Sequence, residues 1–120
     1  NVQCSMSNVQ CLFSILKRIS FIYENNSLFN MRRMHAIIHG TVQGVFFRDT
    51  TKRIASGLGL KGYVRNMDDG CVEVVAEGLH NKLSELIHFC RKGPEGAKVS
   101  KINIKLEKPT NEFHGFEVKH

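Results

Sequence analysis

Lys61-Gly62-Tyr63-Val64-Arg65-Asn66, followed by Met67-Asp68-Asp69-Gly70 and then Cys71-Val72-Glu73-Val74-Val75-Ala76-Glu77, is the run from which the architecture can be read. Two segments rich in β-branched and aromatic residues flank an Asp-Gly pair, the strongest short-range hairpin signal. Within the second segment Val72, Val74 and Ala76 fall on one side at a period of two. Upstream, Phe47, Thr51, Ile54, Ala55 and Leu58 share a helical face, with Gly57 and Gly59 as stop signals. Before that helix, Met34–Gly40 alternates weakly and ends on glycine, as a first strand does. Downstream, Leu79, Leu83, Leu86, Ile87 and Cys90 predict a second helix closed by Gly93-Pro94. Val99–Leu106 then alternates Ile102, Ile104 and Leu106 against Asn103 and Lys105, and Phe113–Val118 is a last short strand.

The order is β-α-β-β-α-β with an extra terminal strand. It predicts an α+β protein of the ferredoxin-like split βαβ type, an antiparallel sheet with both helices on one face. That architecture hosts many functions, so function has to come from a site.

The chain has 120 residues, 42% of them apolar and 23% charged. That suffices for one modest core. Lys17-Arg18 interrupts the most apolar stretch, so no run approaches the roughly 20 apolar residues of a spanning helix. The net charge of +6 favours anionic partners without choosing among nucleic acid, headgroups and small phosphates. Cysteines at 4, 11, 71 and 90 form no C-x-x-C pair, which argues against zinc, and they read as reduced residues of a cytoplasmic protein.

Composition shifts near residue 31. All ten glycines and both prolines lie in 31–120. Residues 1–30 carry a short amphipathic pattern (Val9, Leu12, Phe13, Leu16, Ile19, Tyr23) with Lys17 and Arg18 off the stripe. They are expected to be a leader or a poorly packed extension, with Met31 or Met34 as the natural first residue, and 31–120 to be the functional domain.

Chemistry concentrates in His39-Gly40-Thr41-Val42-Gln43-Gly44-Val45-Phe46-Phe47-Arg48, which joins the first strand to the first helix. Gly40 and Gly44 permit a loop whose successive amides turn inward, and a helix N-terminus adds partial positive charge; together these make an anion site. Arg48, in the first helical turn, brings a guanidinium that forks onto two phosphate oxygens. The Gly-Lys-Ser/Thr ending of a nucleotide-binding P-loop is absent. Asn66, at the end of the second strand, offers a carboxamide that both donates to and accepts from one water; equally, it is a residue favoured beside hairpins.

These two stretches together resemble the acylphosphatase family. The first signature, G-x-V-Q-G-V-x-F-R, is met by Gly40, Val42, Gln43, Gly44, Val45, Phe47 and Arg48. The second, G-[aromatic]-V-[basic]-N-x3-G-x-V-x5-G, is met by Gly62, Tyr63, Val64, Arg65, Asn66, Gly70, Val72 and Gly78. The resemblance covers residues 34–120 and implies the fold already read from the pattern. It also implies metal-free, cofactor-free hydrolysis of small acyl phosphates to carboxylate and inorganic phosphate. By position, Arg48 is the phosphate-binding catalytic residue and Asn66 orients the attacking water. Backbone amides of Thr41, Val42, Gln43, Gly44, Val45, Phe46 and Phe47 cradle the phosphoryl oxygens.

The expected partner is a small acyl phosphate, with no nucleic acid, no membrane and a monomeric chain. Lys61-Gly62-Tyr63 begins like an RNA-binding RNP1 motif, but Val64, Arg65 and Asn66 then break it. A non-catalytic phosphate- or carbamoyl-phosphate-binding module is the alternative. His35 and His39, spaced by four on one strand, read as structural or exposed. Asp68 and Asp69 read as hairpin chemistry, and Lys98, Lys101, Lys105 and Lys108 as a solvated edge. The recognised features address phosphate rather than the acyl group, so benzoyl, acetyl and carbamoyl phosphates are expected to turn over within about a hundredfold of one another.

Overall fold

Met31–Thr41 forms β1, three residues longer at its start than the alternation from Met34 predicts, because Met31 to Arg33 continue the ladder opposite Leu79, Gly78 and Glu77. The computed structural model describes residues 30–120; the amphipathic pattern from Val9 to Tyr23, the leader reading of the chain before Asn30, and Cys4 and Cys11 lie outside the described residues. After β1 come α1 (Phe47–Gly57), β2 (Lys61–Asn66), β3 (Val72–Leu79), α2 (His80–Lys92), β4 (Lys98–Glu107) and β5 (Phe116–Lys119).

The five strands are ordered β4-β1-β3-β2-β5. β1 is antiparallel to β3 and β4, and β2 to β3. β5, in contrast, runs parallel to β2, so the sheet is mixed where the pattern suggested an antiparallel one. The reason is directional. β4 runs opposite to β1 and hence opposite to β2, so a strand that turns back after β4 and joins the far edge must run with β2.

Met34, Ala36 and Ile38 of β1, Val64 of β2 and Val72, Val74 and Ala76 of β3 share one buried cluster with Phe47 and Ala55 of α1 and Leu83, Leu86 and Cys90 of α2. Both helices therefore cover the same face of the sheet. Burial pushes the Cys90 thiol up to about 12, as an apolar surround does to any thiol. Both Cys71 and Cys90 are free and buried.

The opposite face is not simply wet. Glu73, Val75 and Glu77 of β3 are buried there too. His35 Nε2 lies 2.7 Å from Glu73, which also accepts from Arg65, while Arg33 donates to Glu77 at 3.2 Å. The connection from β4 to β5 lies over this face: the amides of Thr110 and Asn111 donate to Glu77 at 2.9 and 3.0 Å, and Phe113 packs edge-on against Tyr63 at 5.9 Å. His35 is thus a hydrogen-bonding partner of Glu73, and His39 contacts Cys71 Sγ at 3.2 Å and Asn103 at 3.3 Å.

Candidate active site

Thr41, the last residue of β1, is paired with Lys98 across a register shift at His39/Gly40, and beyond it the chain leaves the sheet. The shift needs Gly40: its φ is +130°, and a Cβ there would lie 2.0 Å from the Lys98 carbonyl oxygen. Val42 plugs the core at 1% exposure. Gln43 points instead toward the β2–β3 turn, where its Nε2 donates to the carbonyls of Met67 at 2.8 Å and Cys71 at 2.9 Å. The start of the loop is thereby held twice: by a buried valine and by two hydrogen bonds to the turn that follows Asn66.

Gly44 (φ +75°) and Phe46 (φ 60°, ψ 24°) then bend the chain into the start of α1. Phe47 anchors the helix in the core, tilted against Phe89 at 5.6 Å between ring centres. Among the described residues no side chain caps this end. The first N–H groups of a helix have no partner within it, so an uncapped start presents donors and the positive end of the helix dipole to whatever sits in front of it.

A pocket of about 230 Å³ opens there, lined by Val42, Gly44, Phe46, Phe47, Arg48, Asp49 and Asn66. It is smaller than the roughly 300–1,000 Å³ of a typical drug-sized site, and suits a phosphoryl group with a short substituent. Arg48 enters from the first turn of α1 and Asn66 from the end of β2. The hairpin turn is built as its residues suggest: Asp69 accepts from the Cys71 amide at 3.0 Å, Gly70 adopts φ +92°, and the hydrogen bond donated by the Cys71 amide holds the Asp69 carboxyl below its usual range.

The family model for acylphosphatase matches residues 34–118. The chain belongs to the acylphosphatase family. An acylphosphatase of a Roseiflexus species is 40% identical over 91 residues, covering 76% of this chain and 98% of that one. The acylphosphatase of Methylococcus capsulatus is 44% identical over 88 residues, 73% of this chain and 96% of the relative. Among solved structures, Bacillus subtilis acylphosphatase superposes with a TM-score of 0.72 at 32% identity, covering 74% of this chain and 99% of that one. As an acylphosphatase the chain is a hydrolase acting on acyl phosphates. Among the described residues no helix is long and apolar enough to cross a membrane.

Of the residues expected to form the phosphate site, Val42, Gly44, Phe46, Phe47, Arg48 and Asn66 line the pocket together. Thr41, Gln43 and Val45 do not line it: Thr41 belongs to the β1–β4 ladder, Gln43 turns to the hairpin, and Val45 packs on the core. Two residues enter that sequence reasoning passed over. Asp49 lines the pocket, and its only signal was the acidic preference of a first helical turn. His120 places Nδ1 3.2 Å from Arg48 Nη1, a contact without a sequence signal because it depends on β5 lying beside β2.

Proposed function

We propose that this chain hydrolyses small acyl phosphates by direct attack of water on phosphorus, with Arg48 holding the phosphoryl group and Asn66 the water. The observation that carries the reading is that Arg48 and Asn66, from separate signatures, line one small pocket at an uncapped helix N-terminus. The guanidinium and the amides of the pocket-lining loop residues, Val42, Gly44, Phe46 and Phe47, neutralise the phosphoryl oxygens. Asn66 accepts a hydrogen bond from the water and donates another, which fixes its lone pair toward phosphorus. The water oxygen bonds to phosphorus as the bond from phosphorus to the acyl oxygen breaks, and the carboxylate leaves with the bonding pair. A water proton passes to a phosphoryl oxygen, so an acyl phosphate dianion and water become one carboxylate and one dihydrogen phosphate. A carboxylate needs no acid to leave and the substrate supplies the base, so positioning and charge stabilisation suffice.

Among the described residues, the pocket lining comes from the 31–120 segment, which we take as the catalytic domain. A chain beginning at Met31 is expected to keep the activity of the full protein.

The test is hydrolysis of benzoyl phosphate in EDTA by the parent, Arg48→Ala and Asn66→Ala at equal folded concentration. Losing one donor to developing charge costs about 10²–10³ in kcat, and Arg48→Ala removes a full charge as well. Inorganic phosphate at about 100 times its Kd should stabilise the parent by about 2.7 kcal/mol and Arg48→Ala far less. Either variant turning over at the parental rate overturns its assigned role. A folded parent that binds phosphate without hydrolysing acyl phosphates overturns the catalytic reading in favour of a binding module.

A further inference from the structure

Phe46 carries two liabilities that the fold does not repay. Its backbone lies in the left-handed region (φ 60°, ψ 24°), which bulky L residues seldom adopt. Its side chain is 78% exposed, and it belongs neither to the buried core nor to the apolar residues packed on that core. Non-glycine residues held in sparse backbone regions cluster where a site requires them. Phe46 lies in the lining of the pocket that holds Arg48 and Asn66. The other large apolar residues of that lining, Val42 and Phe47, are 1% and 2% exposed and spend their side chains on the core. Phe46 is therefore the apolar surface that the pocket offers to a ligand, while Arg48 and the loop amides offer only charge and donors.

We infer that Phe46 selects the acyl group: its ring packs against apolar and aromatic acyl substituents, so that benzoyl-like substrates bind more tightly than acetyl-like ones. This deepens the proposed function, because it rests on the phosphoryl group occupying the Arg48 end of the pocket. A phosphoryl group there claims the guanidinium and the amides, and its substituent projects to the remaining lining, to which Phe46 belongs. Contact with one half-open aromatic face is worth a preference of about tenfold, of the order seen for a single aromatic pair. A preference of that size stays within the hundredfold tolerance expected from the phosphate-directed signatures.

The experiment is calorimetric titration of benzylphosphonate and methylphosphonate, two non-hydrolysable ligands with the same head group, into the parent, Phe46→Leu and Phe46→Asn. Asparagine tolerates the left-handed region, so Phe46→Asn removes the ring while keeping the backbone, and circular dichroism verifies its fold. The readout is the ratio of the two Kd values within each protein, in which any uniform change in phosphate affinity cancels. The expected ratio is about tenfold for benzylphosphonate in the parent, intermediate for Phe46→Leu and near unity for Phe46→Asn. The same change is expected in the KM ratio of benzoyl to acetyl phosphate, compared between proteins so that the intrinsic reactivities cancel. A parent ratio near unity, or a parental ratio retained in Phe46→Asn, overturns the role of Phe46 and leaves the phosphoryl site standing. Failure of both phosphonates and of inorganic phosphate to bind the folded parent overturns the phosphoryl site and this inference with it.

Discussion

Replacing Gln43 with methionine keeps the length of the side chain and deletes its two donors. In the parent those donors reach the Met67 carbonyl at 2.8 Å and the Cys71 carbonyl at 2.9 Å. Neither acceptor is orphaned by the change, because Met67 O still accepts from Gly70 at 3.2 Å and Cys71 O from the Met67 amide at 2.8 Å. The full penalty for an unsatisfied buried carbonyl is thus avoided. The loss is two neutral hydrogen bonds at about 0.5–1.5 kcal/mol each, or about 1–3 kcal/mol together. For a domain of this size each kcal/mol moves Tm by roughly 4–8 °C, so Gln43→Met should melt about 4–24 °C below the parent. Activity should fall further than stability implies. Met67 follows Asn66 directly, and freeing the turn loosens the residue assigned to the water; an error of 1 Å in placement costs about a hundredfold. Gln43→Glu should be worse above the ordinary glutamate range, since a carboxylate then faces two carbonyl oxygens. The assays are thermal melts followed by circular dichroism and kcat and KM for benzoyl phosphate, with Gln43→Met/Asn66→Ala as the double variant. If Gln43 acts through Asn66, the two activity losses fail to add. A Gln43→Met protein that melts within a degree of the parent and retains its kcat would refute the reasoning.

Gly62 has φ +148°, and a Cβ there would lie 1.9 Å from the Val75 carbonyl oxygen, so Gly62→Ala should destabilise by more than about 3 kcal/mol or fail to fold. Gly57 has open space around it at the end of α1, and Gly57→Ala should gain roughly 0.4–1 kcal/mol; urea midpoints compare the two. The Thr51 hydroxyl is buried and finds no hydrogen-bond partner among the described residues, so Thr51→Val should raise the urea midpoint by an amount worth about 1 kcal/mol, and a lower midpoint would contradict it. Burial opposes ionisation of Glu73 and Glu77. It is outweighed at Glu73 by hydrogen bonds from Arg65 and His35, and at Glu77 by bonds from the Thr110 and Asn111 amides and from Arg33, so both carboxyls sit below the usual 4.5. Groups depressed in the folded state stabilise it above the unfolded pKa, and that stability is lost as pH falls through 4.5 and below. Urea midpoints should decline over that interval, and Glu73→Gln should flatten the decline while lowering the plateau at neutral pH; an unchanged slope would count against the assignment.

Much of this protein was legible before any coordinates. The alternation of Val72, Val74 and Ala76 and the Asp-Gly turn marked the central hairpin, and the spacing of Phe47, Thr51 and Ala55 marked the helix face that is buried. Such signals are local: a period of two or 3.6, a turn residue and a helix stop each act over a few neighbours. The two signatures likewise single out Arg48 and Asn66, which the fold brings to one pocket. What stayed hidden depends on which distant elements meet. The parallel placement of β5 follows from the edge it joins, and that edge is chosen by burial summed over the whole sheet. Glu73 and Glu77 look like the solvent side of an alternating strand, yet they are buried because the 108–115 connection and the side chains of β1 and β2 cover them. Gln43 and Phe46, three residues apart in one loop, meet fates opposite to their polarity, the amide tied to the hairpin and the ring left in solvent at the pocket. Periodicity and turn chemistry determine the elements and the reactive residue types, whereas side-chain partners across the sheet are settled only when those elements pack, since hydrogen bonds and buried surface between them exist in no shorter piece of chain.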